Sequence, residues 1–280
     1  MKDLILTDPV IEQFHTHLCA SEKSVNTRGK YIRDIKAFRA FCPDAVTKES
    51  VIAYKRRLID GGYAVRSVNS MLASLNSLFT FLGRYDLRVR SLKLQQQIFR
   101  PEEKELTKSE YERLCRTAEQ KRDRRLSLIL QTICGTGIRV SELAFITVEA
   151  VKKGEAAVSL KGKTRSVFLV PELRKKLLRY AAANRIETGA VFVTRSGRPM
   201  SRVSVWREMK NLCAAAEVDP RKVFPHNLRH LFARVFYAIE KDIAKLADIL
   251  GHSSINTTRI YIIGTGTEHR RHMERMRLIL

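Results

Sequence analysis

The sequence predicts a mostly α-helical protein with one small antiparallel β-sheet, arranged as a helical N-terminal domain followed by an α+β C-terminal domain. Three observations lead there. Apolar residues recur at helical spacing through most of the first hundred positions. A weakly periodic stretch rich in Arg, Lys and Gln, holding Pro101, then interrupts the pattern. Beyond it helical segments resume, but they flank two short apolar runs on either side of Lys161-Gly162-Lys163-Thr164, the signature of a hairpin with a basic turn.

Taken in order, residues 9–18 form the first helix. Tyr31, Ile32, Ile35, Phe38 and Phe41 share a face after a polar start at Ser24, Asn26 and Thr27. Val51, Tyr54 and Leu58 continue the pattern to Gly61 and Gly62. Val68, Met71, Leu72, Leu75, Leu78, Phe79 and Leu82 mark a fourth helix, stopped at Gly83. These four make a compact unit over residues 1–98, with a linker at 99–105 and a second domain over 106–280. That domain opens on a capping box, Thr107 with Glu110. Helices are expected at 111–118, 126–134, 173–183, 203–215, 228–239 and 243–250. Strands are expected at 156–160 and 166–170, with a third at 191–193.

Charge narrows the function. Lys and Arg total 52 against 29 Asp and Glu, a net of +23 spread over both domains rather than held in a tail. Such a field favours a polyanion, with nucleic acid as the first expectation. Five cysteines (Cys19, Cys42, Cys115, Cys134, Cys213) are odd in number and have no close pairs, which argues against a disulfide framework or a zinc knuckle and for reduced thiols. No apolar run approaches a membrane span, and the N-terminus lacks a signal pattern, so a soluble, cytoplasmic protein is expected.

Metal-free phosphodiester transfer needs a nucleophile in line, a proton for the leaving oxygen, and cations where negative charge builds on the phosphate. Arg suits the last task because it is planar, bidentate and permanently charged. Thr136-Gly137-Ile138-Arg139-Val140-Ser141-Glu142-Leu143 sets Arg139 after a glycine turn at a helix start, with Glu142 as a candidate salt partner. His226-Asn227-Leu228-Arg229-His230 follows Pro225, and the three-residue spacing puts His226 and Arg229 on one helix face. His252 follows Gly251 at a helix end. Tyr261 comes nine residues later, in Thr257-Thr258-Arg259-Ile260-Tyr261. Taken singly, each has an ordinary explanation: a surface arginine, a solvated helix face, a cap residue, a core tyrosine.

Together, Arg139, then His226 with Arg229, then Gly251-His252, then Tyr261, in that order and spacing, closely resemble the tyrosine recombinase, or phage integrase, family. The motifs span residues 107–261; the N-terminal domain fits the family's helical, SAM-like core-binding domain by general plan only. The resemblance implies a Xer-like two-domain site-specific recombinase that grips duplex DNA between its domains, with Tyr261 as nucleophile for a 3′-phosphotyrosyl bond. It implies that Arg139 and Arg229 clamp the scissile phosphate, that His226 is the general base and that His252 hydrogen-bonds the phosphate. A hairpin lysine would be the general acid. The turn here is shorter than the family's usual Gly-Lys-Gly form, so Lys161 and Lys163 both qualify; Lys161 is preferred because its Lys-Gly pair matches. Neither metal nor cofactor is implied.

The resemblance further implies four protomers on two DNA sites, exchanging strands through a Holliday junction, with a possible directionality factor or partner recombinase. The apolar stripe Met273, Met276, Ile279 and Leu280, set beside basic residues, is expected to form a tail helix that docks on a neighbouring protomer or on its own domain. Arg56, Arg57, Arg66, Arg84, Arg88 and Arg90, with Lys55, are candidate phosphate contacts. Two other functions fit part of the pattern: a type IB topoisomerase, which shares the chemistry, and a DNA-binding regulator with an idle site.

Overall fold

The computed structural model describes residues 4–93, 102–160, 163–262 and 274–275. The chain divides into two units, Met1–Gln96 and Gln97–Leu280, each with its own core.

The first unit contains α1 (Asp8–Ala20), α2 (Val25–Phe41), α3 (Lys48–Asp60) and α4 (Val65–Phe81). Ser24 caps α2 and Thr47 caps α3. Their apolar faces meet over Phe14, Ile35, Phe38, Leu72, Leu75 and Phe79, all fully buried. Between α2 and α4 sits a buried acid, Asp34, paired with Lys30 and accepting from Ser74 Oγ at 2.7 Å. The basic stretch after α4 is ordered by side chains rather than by periodicity. Asn76 exchanges two hydrogen bonds with the backbone of Val89 (2.9 and 3.0 Å), and Asn69 does the same with Leu92 (2.9 and 2.7 Å).

The second unit opens with a 3-10 turn, Glu102–Lys104, followed by α5 (Lys108–Gln120), whose capping box forms as expected. The end of the stretch read as linker is docked. Glu105 is buried and paired with Arg234, whose Nη2 donates to Leu106 O at 2.6 Å, and Asn227 Nδ2 donates to Lys104 O at 2.8 Å. Helix α6 (Arg124–Thr136) runs through the core, packed by α5 and by α10 (Pro225–Glu240). Around it lie the 3-10 segment Val140–Phe145, α7 (Val148–Lys153), α8 (Pro171–Ala183) and α9 (Arg202–Leu212).

The hairpin pairs β1 (Glu155–Leu160) with β2 (Lys163–Phe168), in register from Glu155 opposite Phe168 to Leu160 opposite Lys163. Strand β2 thus begins three residues before and ends two residues before the expected 166–170: Thr164 and Arg165 pair with Ser159 and Val158, and their side chains are satisfied by Ser159 and Glu142, polar contacts that hydropathy does not reveal. The third strand expected at 191–193 is not formed; Ala190 and Val193 make isolated bridges to Thr147 and Pro199. A small satellite core of Ala233, Leu246, Leu250 and Tyr261 joins α10 to α11 (Ile243–Leu250) and α12 (Ile255–Ile262). Neither α7 nor α12 stands out in the sequence, since both are short and rich in polar residues. The proposed tail positions Met273, Met276, Ile279 and Leu280 lie outside the described residues.

Candidate active site

Two helix ends build the centre of the site. Helix α6 stops at Gly137 and α11 at Gly251, both left-handed with φ 65°. Both positions also demand the absence of a side chain. A Cβ on Gly137 would lie 2.5 Å from the Phe232 ring, and one on Gly251 would overlap the Arg165 side chain. Carbonyl groups at a helix C-terminus lack intrahelical partners and carry partial negative charge. Here two of them face one cation: Arg229 Nη1 donates to Gly137 O and Nη2 to Leu250 O, the latter at 2.7 Å. This explains how Arg229 can be only 1% exposed. Burial, reinforced by the nearby Arg139 charge, pulls its pKa down to about 10.

Arg139 stands at the start of the Val140–Phe145 segment. Glu142, itself 1% exposed, accepts from the Arg139 backbone N–H and from its Nη1, each at 2.8 Å. The same carboxylate accepts from Arg165 Nη2 at 2.6 Å. Arg139 is therefore oriented from below while its side chain stays 40% exposed. It opens, with Ser141, Trp206, Phe224, His226 and Arg229, onto a cleft of about 620 Å³.

His252 is held at both nitrogens. Arg229 Nη2 lies 2.9 Å from Nε2, and Thr258 Oγ1 lies 2.9 Å from Nδ1. A guanidinium only donates, so Nε2 is the acceptor, and the ring proton sits on Nδ1 and is given to Thr258. Burial first, then Arg229, Arg139 and Arg165, depress this histidine to about 4, which keeps it neutral near pH 7. Tyr261 is 6% exposed on α12 and is surrounded by rings. His230 stacks on it at 4.1 Å between centroids, and His226 (5.2 Å) and His252 (5.0 Å) flank it. The Arg229 guanidinium carbon lies 5.8 Å from its centroid.

Arg139, His226, Arg229, His252 and Tyr261, far apart in sequence, thus converge. Lys161 and the Lys163 side chain lie outside the described residues; their backbone neighbours Leu160 and Lys163 close the hairpin. The basic residues of the first unit are variously engaged. Arg84 pairs with Asp86 and Arg57 covers the Phe41 ring, while Lys55 donates to Arg90 O at 2.8 Å. Arg56, Arg88 and Arg90 border one groove with Ile52 and Ile59, and Arg66 is exposed on α4. Among the described residues no cluster of three His, Cys, Asp or Glu is placed to hold a metal ion, and no helix is long and apolar enough to cross a membrane. Sequence reasoning missed Arg165, Thr258 and Trp206 as members of the site. His230 had one available signal, its spacing of four from His226 along a helix.

The pattern of the phage integrase family matches residues 104–265, and that of the phage integrase N-terminal SAM-like domain matches residues 11–85. Tyrosine recombinase XerA of Thermococcus kodakarensis is 30% identical, covering 96% of this chain and 96% of its own length. XerA of Pyrococcus furiosus is 28% identical over 100% of this chain and 98% of its own. In fold, the chain is similar to a lambda integrase tetramer bound to a Holliday junction (TM-score 0.75, 21% identity, 93% of this chain and 78% of that one). With both domain patterns present in order and near-complete coverage of a relative at this identity, the chain belongs to the phage integrase family of tyrosine recombinases.

Proposed function

We propose that this protein is a site-specific DNA recombinase in which Tyr261 is the nucleophile. The observation that carries the reading is the convergence of Arg139, His226, Arg229 and His252 about one buried tyrosine. In the forward step Tyr261 Oη attacks the scissile phosphorus in line. The P–O5′ bond breaks and a 3′-phosphotyrosyl ester forms. The phenolic proton passes to His226, and the hairpin lysine, Lys161 or Lys163, protonates the departing O5′. Arg139 and Arg229 hold the non-bridging oxygens, where preorganised charge does most of the catalytic work. In the free protein His252 serves as a neutral acceptor that orients Arg229. Because the ester keeps the phosphodiester's energy, a 5′ hydroxyl of the partner strand reverses the step without ATP.

The proposed assembly is four protomers on two duplex sites, with residues 263–280 of each docking on a neighbour. A chain truncated after Thr267 that still formed synaptic complexes and recombined would exclude that role for the tail. Five free cysteines suit the cytoplasm, where the protein is proposed to act. The central test is covalent trapping on a library of nicked duplexes of randomised sequence, followed by sequencing of the denaturation-resistant adducts. Adducts that converge on one motif and vanish in Tyr261→Phe are expected. Adducts persisting in that variant would remove Tyr261 as nucleophile. Adducts without a shared motif, together with relaxation of any supercoiled plasmid, would indicate a topoisomerase instead.

A further inference from the structure

Arg165 is tied to three parts of the site, and no step of the proposed reaction uses it. It lies on β2 two residues beyond Lys163, opposite Val158. Its side chain is 13% exposed. Nη2 donates to Glu142, the carboxylate that also holds Arg139, and Nη1 donates to Ile249 O at 2.7 Å in the last turn of α11. Its methylene stem lies against Gly251, the residue before His252. A two-stranded hairpin is marginal by itself, so its tip is located only as well as its strands are anchored. Further from the turn that anchor is apolar, through the buried pair Ala156 and Val167. Arg165 is the last described inward-facing side chain of β2 before the turn, and there the anchor becomes ionic.

We propose that Arg165 is a positioning residue that fixes the lysine-bearing hairpin relative to Arg139 and the end of α11, so that the lysine reaches the leaving O5′. Arg165 touches no reacting atom. It acts by sharing Glu142 with the phosphate clamp and by bracing the strand that carries the general acid. The proposal rests on the recombinase reading, and the experiment separates the two.

The test compares cleavage of the nicked duplex selected by the wild-type protein with cleavage of the same duplex carrying sulfur in place of the bridging O5′. A thiolate leaves without being protonated, so a defect in proton delivery disappears on the sulfur duplex, whereas a defect in holding the phosphate persists. Arg165→Lys, which keeps the charge but cannot span both acceptors, is expected to cleave the oxygen duplex about 10²-fold more slowly than the wild type, the lower end of what a general acid supplies. It is expected to cleave the sulfur duplex at close to the wild-type rate. Glu142→Gln, which loosens Arg139 directly, should stay slow on both. Arg165→Met repeats the comparison, with Tm measured for each variant. Equal slowing on the two duplexes, no slowing on either, or loss of the fold in both Arg165 variants would overturn the role. A wild-type protein that forms no adduct on either duplex would instead overturn the recombinase reading, and this role with it.

Discussion

Arg229 and Tyr261 are neighbours, with the guanidinium carbon 5.8 Å from the ring centroid, yet different forces hold them. Arg229 belongs to the rigid part of the molecule. It rises from a sixteen-residue helix packed on the main core, and carbonyl groups from two separate helix ends accept from it. Tyr261 sits on the eight-residue α12, in a satellite cluster whose buried members are four residues, with His230 stacked on its ring, His226 and His252 beside it, and its hydroxyl interacting with Arg229. Hydrogen bonds to a buried charge are directional and costly to break, whereas ring contacts tolerate small displacements. The part of the site proposed to hold the phosphate is thereby coupled to the main core, and the proposed nucleophile rests on the smaller cluster.

Variants can break this contrast. The largest effect is expected for Arg229→Ala, which leaves two buried carbonyls unpaired and opens a cavity. A loss of about 3 kcal/mol, seen as a Tm lower by roughly 10 °C, should accompany loss of adduct formation. If thermal melts showed no change, the clamp would not be part of the stability core. Next comes Gly137→Ala, which combines a left-handed backbone with a collision against Phe232. A cost of about 2–3 kcal/mol by denaturant unfolding is expected, against about 1 kcal/mol for Gly83→Ala, where φ is similar but space is open. Equal costs at the two sites would remove the close approach of Phe232 from the explanation.

Tyr261→Phe is the opposite case. It keeps the ring contacts, so stability should stay within about 0.5 kcal/mol while covalent adducts disappear. A large drop in Tm would mean that the hydroxyl, and not the ring, holds α12. A pH-dependent effect concerns His252. Its folded pKa of about 4 lies below the ordinary 6.5, so between those values the unfolded chain binds a proton that the folded chain does not. Stability should therefore fall as pH drops through that window. His252→Gln should flatten this decline in a series of urea titrations. Parallel declines in the two proteins would show that His252 is not held neutral.

Legibility in the sequence followed the same division of forces. The four helices of the first unit are visible because apolar burial at helical period made them. The ordered stretch after α4 is not, because Asn69 and Asn76 hold its backbone one residue at a time. Arg165 and Arg229 read as surface residues by type, and only partners distant in sequence make their burial possible. Tyr261 has the composition of a core residue and became a site residue through the order of motifs upstream, not through any local pattern. Strand β2, expected at 166–170 and found at Lys163–Phe168, is displaced for a related reason: its polar beginning pairs through Thr164 and Arg165.

The arrangement around Glu142 carries one more consequence. Arg139, Arg165 and Arg229 are three guanidiniums gathered about a single carboxylate, beside a histidine kept neutral. The surplus is two positive charges. A phosphodiester at rest bears one negative charge, and its five-coordinate transition state bears two. In the proposed reaction negative charge builds on the non-bridging oxygens as Tyr261 Oη bonds to phosphorus, so guanidiniums fixed in place beforehand hold the transition state more strongly than the bound substrate.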